Sequence, residues 1–239
     1  MNSKQYLAKK LELFFNPSGV TKLLDLGSGQ SKNIIPLLEK YPNLYYVGVE
    51  PQTSEANIAQ KLLSKFPHAK IYNQLAYDPV PNENDFDICV SLSVLEHVKQ
   101  LEKFLINSIK AVKSGGRIIH IYDLGHALYP KSLKEKFQIF LGTKFPWILP
   151  EKKFVRYLDV KQVSKILIDN GATVEKITYH QMPNHKAFLK NFQADTPEKL
   201  KLVEEIMEWE YKVSKFLPEL DQKQRELLFP TINIQAIKK

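Results

Sequence analysis

A single cysteine, Cys89, stands in 239 residues. That excludes an intrachain disulfide and a cysteine-rich zinc site. Cys89 lies in the apolar run Ile88-Cys89-Val90 and reads as a core residue, not a nucleophile. No apolar run is long enough to cross a bilayer as a helix. Leu11, Leu13, Phe14 and Phe15 are too few and too interrupted by charge to form the apolar region of a signal peptide. The expectation is a soluble, cytoplasmic protein with no transmembrane segment. Internal repeats and low-complexity tracts are also missing, which argues against a repeat architecture.

What is present points to one substantial domain. Hydrophobic residues make up 44% of the chain, enough for a large core, so global disorder is not expected. The length suits a single α/β domain over residues 1–239 with insertions. The formal net charge is +8. Excess lysine and arginine can attract nucleic acid, anionic lipid or a phosphorylated metabolite. Here the basic residues are scattered along the chain, which reads first as solvation.

Periodicity and turn residues divide the chain. Residues 3–15 read as an amphipathic helix stopped by Asn16-Pro17-Ser18-Gly19. Strands are predicted at 22–26, 44–49, 70–72, 86–91, 117–122, 172–179 and 228–237, with Pro230 near the start of the last. Helices are predicted at 33–40, 54–66, 101–112, from Asp159 to near Asn170, and from Thr196-Pro197-Glu198 to about Phe216. Thr53 or Ser54 is the expected cap of the second helix, and Ser114-Gly115-Gly116 the stop of the third. Asp159 and Gln162 suggest a capping box, closed at the far end by Gly171. The strand–helix alternation implies a Rossmann-like, doubly wound α/β fold. Its expected sheet is seven-stranded and mostly parallel, with helices on both faces. Two additions are expected: a helical or irregular cap or lid over residues 124–158 and a helical insertion over 196–227.

The strongest chemical signal is Leu23-Leu24-Asp25-Leu26-Gly27-Ser28-Gly29-Gln30. A glycine turn at the carboxyl end of a first strand lets a ligand approach the backbone closely. No Gly-Lys-Ser/Thr follows, so it is not a P-loop, and Lys32 occupies the third glycine position of a dinucleotide fingerprint. Glu50 ends the second strand about twenty residues on, where an acid can accept hydrogen bonds from both hydroxyls of a ribose. Then follow Asn84-Asp85-Phe86-Asp87-Ile88-Cys89-Val90-Ser91, Val94-Leu95-Glu96-His97-Val98 and Val112-Lys113-Ser114-Gly115-Gly116-Arg117-Ile118-Ile119.

This ordered set resembles the class I S-adenosylmethionine (SAM)-dependent methyltransferase family, in its methyltransferase-11/12-like small-molecule branch. The resemblance covers residues 20–122, and 159–180 more loosely. It implies SAM as cofactor and methyl transfer to a small acceptor as activity. By resemblance, Asp25, Gly27, Ser28 and Gly29 surround the methionine part of SAM, and Glu50 binds the ribose. Pro51 and Gln74-Leu75-Ala76 flank the adenine, and Ser91 and Leu92 lie beside the methyl donor. Asn73 and Gln74 replace the acid that many relatives carry after the third strand. Some relatives use Glu-x-x-Glu-His for metal, but Ser93 stands in the first position here, so no catalytic metal is expected.

Three residues are candidates for proton handling. His126 follows the fifth strand and is positioned to deprotonate an acceptor hydroxyl, with Asp123 orienting its imidazole. His97 is the alternative base, or a residue that packs beside the sulfonium. The cations and aromatics Tyr129, Lys131, Lys134, Lys136, Lys144, Trp147, Lys152, Lys153, Arg156 and Tyr157 suit a sugar or phosphate-bearing acceptor, or a plain lid. His180 and His185 read as surface residues near the pocket rim. Other readings stay open: an RNA methyltransferase, a non-catalytic SAM-binding protein and, more weakly, a nicotinamide dehydrogenase. Against RNA, the chain has no Asn/Asp-Pro-Pro-aromatic tetrad, no Pro-Cys or Thr-Cys pair and no appended RNA-binding module. The sequence leaves the acceptor, the O- or N-chemistry and the oligomeric state undetermined.

Overall fold

The computed structural model describes residues 10–16, 19–81, 83–145, 147–149, 154–192 and 196–239. Among them run seven strands: β1 (Thr21–Leu26), β2 (Leu44–Val49), β3 (Ala69–Tyr72), β4 (Phe86–Leu92), β5 (Val112–Asp123), β6 (Ala172–His180) and β7 (Thr231–Lys238). They form one sheet in the order β3-β2-β1-β4-β5-β7-β6. Every neighbouring pair is parallel except those made by β7, which is antiparallel to both β5 and β6. The expected seven-stranded, mostly parallel, Rossmann-like sheet is therefore present.

Successive residues of a strand point to opposite faces, and here both faces are covered. Leu24, Cys89 and Ile118 pack on one side with Phe104 and Leu105 of α3 (Leu101–Ala111) and with Val163 and Leu167 of α6 (Val160–Asp169). Their immediate neighbours Leu23, Ile88 and Ile119 face the other layer. That layer holds α1 (Ile35–Lys40), α2 (Thr53–Leu63) and Met207 of α8 (Pro197–Ser214). This explains why the central strands read as continuous apolar runs. Cys89 is fully buried, as expected, and burial pushes its thiol pKa well up. No described helix is long and apolar enough to cross a membrane.

Several local expectations need correction. Of the helix expected over 3–15, the described part is a 3-10 turn at Lys10–Phe14; residues 3–9, like Pro17 and Ser18 of the stop, lie outside the described residues. Helix α2 begins at Thr53 with Gln52 in the cap position and no side-chain cap. The Thr53 hydroxyl donates instead to Asn73 Oδ1, tying the helix to the loop after β3. Ser114-Gly115-Gly116 does not separate a helix from a strand: α3 ends at Ala111, and β5 already starts at Val112. Asp159 does cap α6, but through the N–H of Lys161 and not that of Gln162; Gly171 follows with φ +92°, as its place past the helix requires.

The stretch 124–158 combines helices with irregular chain. It contains α4 (Gly125–Leu128) and the twelve-residue α5 (Leu133–Lys144), which Ser132 caps by accepting the N–H of Glu135. Helix α5 lies close on the following chain because residue 142 is glycine: a Cβ there would collide with the Val155 carbonyl oxygen. Helix α7 (Pro183–Asn191) was not expected, and the helical insertion expected over 196–227 includes, besides α8, the short α9 (Gln222–Leu228). The latter shortens the last predicted strand, which begins at Thr231, just after Pro230. The Asp221/Gln224 capping box that starts α9 is a sequence signal overlooked beside the apolar run that follows.

Candidate active site

The chain leaves β1, fills the β2 and β3 side, then crosses back to β4. Beyond the carboxyl ends of β1 and β4 lies the crevice this reversal creates, the place where open α/β sheets bind ligands. A cavity of about 550 Å³ opens at this end of the sheet, lined by the ends of β1 and β2 and by the loops after β3 and β4. Its size falls within the usual range for small-molecule sites.

The floor is built by backbone hydrogen bonds. Gly27 and Ser28 both donate their N–H to Val49 O (2.8 and 3.0 Å), and Gly29 donates to Glu50 Oε2 (2.9 Å). Glu50 Oε1 accepts the N–H of Gln52 (2.8 Å). The carboxylate thus clasps the glycine turn and the start of α2, and each oxygen retains a lone pair for a ligand hydroxyl. Gly27 has φ +79°, and a Cβ there would stand 2.5 Å from Val94 Cγ2. The glycine is demanded by the close approach of the β4 loop, not by ligand space alone.

The structure sorts the residues singled out from sequence. Gly27, Glu50, Pro51, Leu75 and Ala76 line the cavity. Gly29 and Ser28 shape the turn beside it. Asp25 is buried under the turn, where its Oδ2 accepts from the Tyr46 hydroxyl (3.1 Å). Gln74 is directed elsewhere: its Nε2 donates to the carbonyls of Asp78 and Pro79. Ser91 and Leu92 do not reach the wall. The Ser91 hydroxyl meets His120 Nδ1 (2.8 Å) inside the core, and Leu92 packs in the opposite layer. The wall after β4 comes from Ser93 and Val94, with Gln52, Tyr77 and Val98 adding surfaces that sequence reasoning missed. A turn at Ser93, with φ +58°, advances the wall beyond the strand end, and no sequence pattern marked it.

His97 lines the cavity. Its Nδ1 lies 3.0 Å from the Phe154 carbonyl oxygen, an acceptor that requires Nδ1 to carry the proton in the neutral ring and so makes Nε2 the basic nitrogen. The preceding Glu96 is fully buried. Its Oε1 accepts the N–H of Asp123 (3.2 Å) and its carbonyl accepts that of Arg156 (3.1 Å), which locks the loop to β5 and to the segment after α5.

His126 is exposed, with its ring centroid 5.9 Å from that of His97. Asp123 does not orient His126 through the expected hydrogen bond: its Oδ1 accepts the N–H of Gly125 (2.7 Å), starting α4. Other expectations for this half also change. Tyr157 donates to Glu226 Oε2 (2.6 Å), and the Tyr129 hydroxyl donates to the Leu227 carbonyl. Arg156 stacks over the Phe154 ring at 5.6 Å, and burial lowers its pKa to about 10. His180 is not a surface residue, and His185 is only partly exposed. The first is buried beside Thr178 and stacked on Tyr211; the second contacts Oε1 of the fully buried Glu210 at 2.7 Å. Lys152 and Lys153 lie outside the described residues.

Residues 24–118 match the family model described as a methyltransferase domain. The ubiquinone biosynthesis O-methyltransferase of Rickettsia typhi is 24% identical over 112 residues, which cover 47% of this chain and 45% of that protein. A hybrid PKS-NRPS synthetase of Talaromyces variabilis is 24% identical over 176 residues, 70% of this chain and 4% of the synthetase. The match thus spans less than half the length of the Rickettsia relative. Among solved structures, geranyl diphosphate C-methyltransferase from Streptomyces coelicolor superposes with a TM-score of 0.63 at 13% identity, covering 98% of this chain and 77% of that one. Phosphoethanolamine N-methyltransferase 2 of Haemonchus contortus gives 0.61 at 18% identity, covering 99% and 53%.

Proposed function

From the premise that the chain belongs to the class I SAM-dependent methyltransferases, we propose that it binds SAM in the cavity beyond β1 and β2 and methylates a small-molecule acceptor. The observation that carries this reading is the Glu50 carboxylate. It closes the glycine turn and also lines a cavity whose other walls include apolar Leu75 and Ala76.

These residues fit the cofactor. Glu50 would accept hydrogen bonds from the ribose hydroxyls, since each of its oxygens spends one lone pair on a backbone amide and keeps another. Pro51, Leu75 and Ala76 offer apolar contact for the adenine. Asn73 supports that wall from behind, donating to the Glu50 and Pro51 carbonyls (2.8 and 3.1 Å). Asp25 and Ser28 support the turn nearest the methionine part. When bound, SAM supplies a methyl carbon on a sulfonium sulfur, which an acceptor lone pair attacks while the sulfur takes back the bonding pair. The protein then mainly aligns the partners and excludes water.

An acceptor hydroxyl must also lose its proton. His97 is the better-placed base, because it lines the cavity and the Phe154 carbonyl presets its tautomer. His126, beside it but exposed, would act at the outer edge, toward the acceptor. The small-molecule reading draws support from similar proteins named for ubiquinone biosynthesis, geranyl diphosphate and phosphoethanolamine. Those names span O-, C- and N-methylation, so the fold leaves the acceptor atom open.

Calorimetry provides the test. S-adenosylhomocysteine (SAH) and SAM are expected to bind, NAD is not, and Glu50→Gln should weaken SAH. A folded protein that binds neither SAM nor SAH would overturn the reading.

A further inference from the structure

Helix α5 and the chain after it carry a concentrated exposed apolar surface. Leu133, Phe137 and Phe140 are 82%, 62% and 51% exposed, and Trp147 and Ile148 are 71% and 56% exposed. The aromatics are contiguous: the Phe145 ring lies 6.2 Å from Phe140 and 5.7 Å from Trp147. At 3.6 residues per turn, Leu133, Phe137, Phe140 and Lys144 fall within roughly 60° of arc on the helix surface. Buried Gly142, which faces the Val155 carbonyl, occupies the opposite side. The stripe therefore points away from the body of the protein. Lys134 and Lys136 flank it, one on each side, and both are exposed.

We propose that this face docks on an anionic lipid surface, with the apolar stripe entering the headgroup boundary and the lysines meeting the phosphates. A helix lying in a membrane interface needs this arrangement: bulky apolar side chains on one side and flexible cations at the margin. The charge is complementary. Residues 129–148 contain four lysines (Lys131, Lys134, Lys136 and Lys144) and one acid, Glu135. That acid is already engaged, since its Oε2 accepts the N–H of Lys131 (2.6 Å). A second copy is a poorer occupant, because two-fold pairing of the face would bring the same lysines together. The protein's own cavity is also a poorer occupant, because the stripe points outward. The inference does not depend on methyl transfer.

The test is co-sedimentation of the full chain with vesicles of phosphatidylcholine alone and of phosphatidylcholine with phosphatidylglycerol. Partitioning should be about tenfold or more stronger on the anionic vesicles and should fall as salt rises. Both Phe137→Ser/Phe140→Ser and Lys134→Glu/Lys136→Glu should reduce it to the level seen with neutral vesicles. In a Trp209→Phe background, Trp147 emission should shift to the blue on anionic vesicles. Because the altered side chains are exposed, thermal unfolding and SAH affinity should match the parent, which separates failure of this inference from failure of the SAM reading. Equal partitioning on both vesicles, or partitioning untouched by the variants, overturns it. So does self-association in sedimentation velocity that Phe137→Ser/Phe140→Ser abolishes while vesicles remain unbound; that result would assign the face to a second copy.

Discussion

Residues 21–123 and residues 124–239 are built on different principles. The first region is a run of parallel strands and covering helices, β1 to β5, whose turns at one end form the cavity floor. Its glycine turn is held through its backbone amides: Gly27 and Ser28 donate to the Val49 carbonyl, and Gly29 donates to the Glu50 carboxylate. The second region is mainly helices inserted around the β6–β7 antiparallel pair. It is held by long-range side-chain bonds such as Tyr157 to Glu226 and His185 to Glu210. A site held by backbone geometry tolerates no change of shape. One held by side chains can be re-lined while the sheet stays the same.

The largest expected effect tests that rigidity. Gly27→Val combines a strained positive φ with a Cβ placed against Val94, and should lower SAH affinity on the order of a hundredfold or more, about 3 kcal/mol. Gly27→Ala with Val94→Ala should recover part of the loss, as read by calorimetry. If the pair behaves no better than Gly27→Val, the Val94 contact is not the cause.

The histidines extend the comparison to chemistry. With a hydroxyl acceptor, His97→Ala should reduce turnover by roughly a hundredfold and His126→Ala by less, with SAH affinity near that of the parent in both. The reverse order in a pH–rate profile would return the base to His126.

Smaller again is the ribose contact. Glu50→Gln should cost SAH about 1–3 kcal/mol, since charged acceptors are lost toward both the ligand and the Gly29 and Gln52 amides. Equal affinity would remove Glu50 from the site.

Acid stability compares the regions directly. His120, between Ser91 and Ser108 in the first, has its pKa lowered from 6.5 to about 3 by burial; His180 in the second is lowered to about 4, by burial and then by nearby Lys176. Below pH 6.5 the unfolded chain takes up protons that these folded sites refuse, so stability should fall with acidification, by up to about 1.4 kcal/mol per pH unit for each group. The loss should stop near pH 4 for His180 and near pH 3 for His120. His120→Asn should flatten the denaturation midpoint against pH, and an unchanged slope would count against a neutral buried imidazole. The smallest effect is local: Ser132→Ala should cost α5 about 1 kcal/mol, visible as faster amide exchange in its first turn and no change in SAH affinity.

The sequence by itself determined the first region. Apolar runs such as Leu23–Leu26 and Ile88–Val90 signal strands covered on both sides, and the regular strand–helix alternation up to β5 implies a parallel sheet there. A glycine turn after β1 with an acid after β2 therefore already implies a site. Each of these signals is local, because it depends on residue spacing within one element. Tertiary structure decided the rest. Asp123 turned to Gly125 instead of His126, Ser91 turned into the core toward His120, and Ser93 and Val94 took its place in the wall. The same holds for His180, buried against Tyr211, and for His185, which meets Glu210: both partners sit on α8, which begins more than ten residues further on. Sequence spacing cannot reveal which hydrogen-bond partner a polar side chain will find, because neighbouring backbone, such as the Gly125 N–H beside Asp123, competes with groups that distant elements bring in by packing.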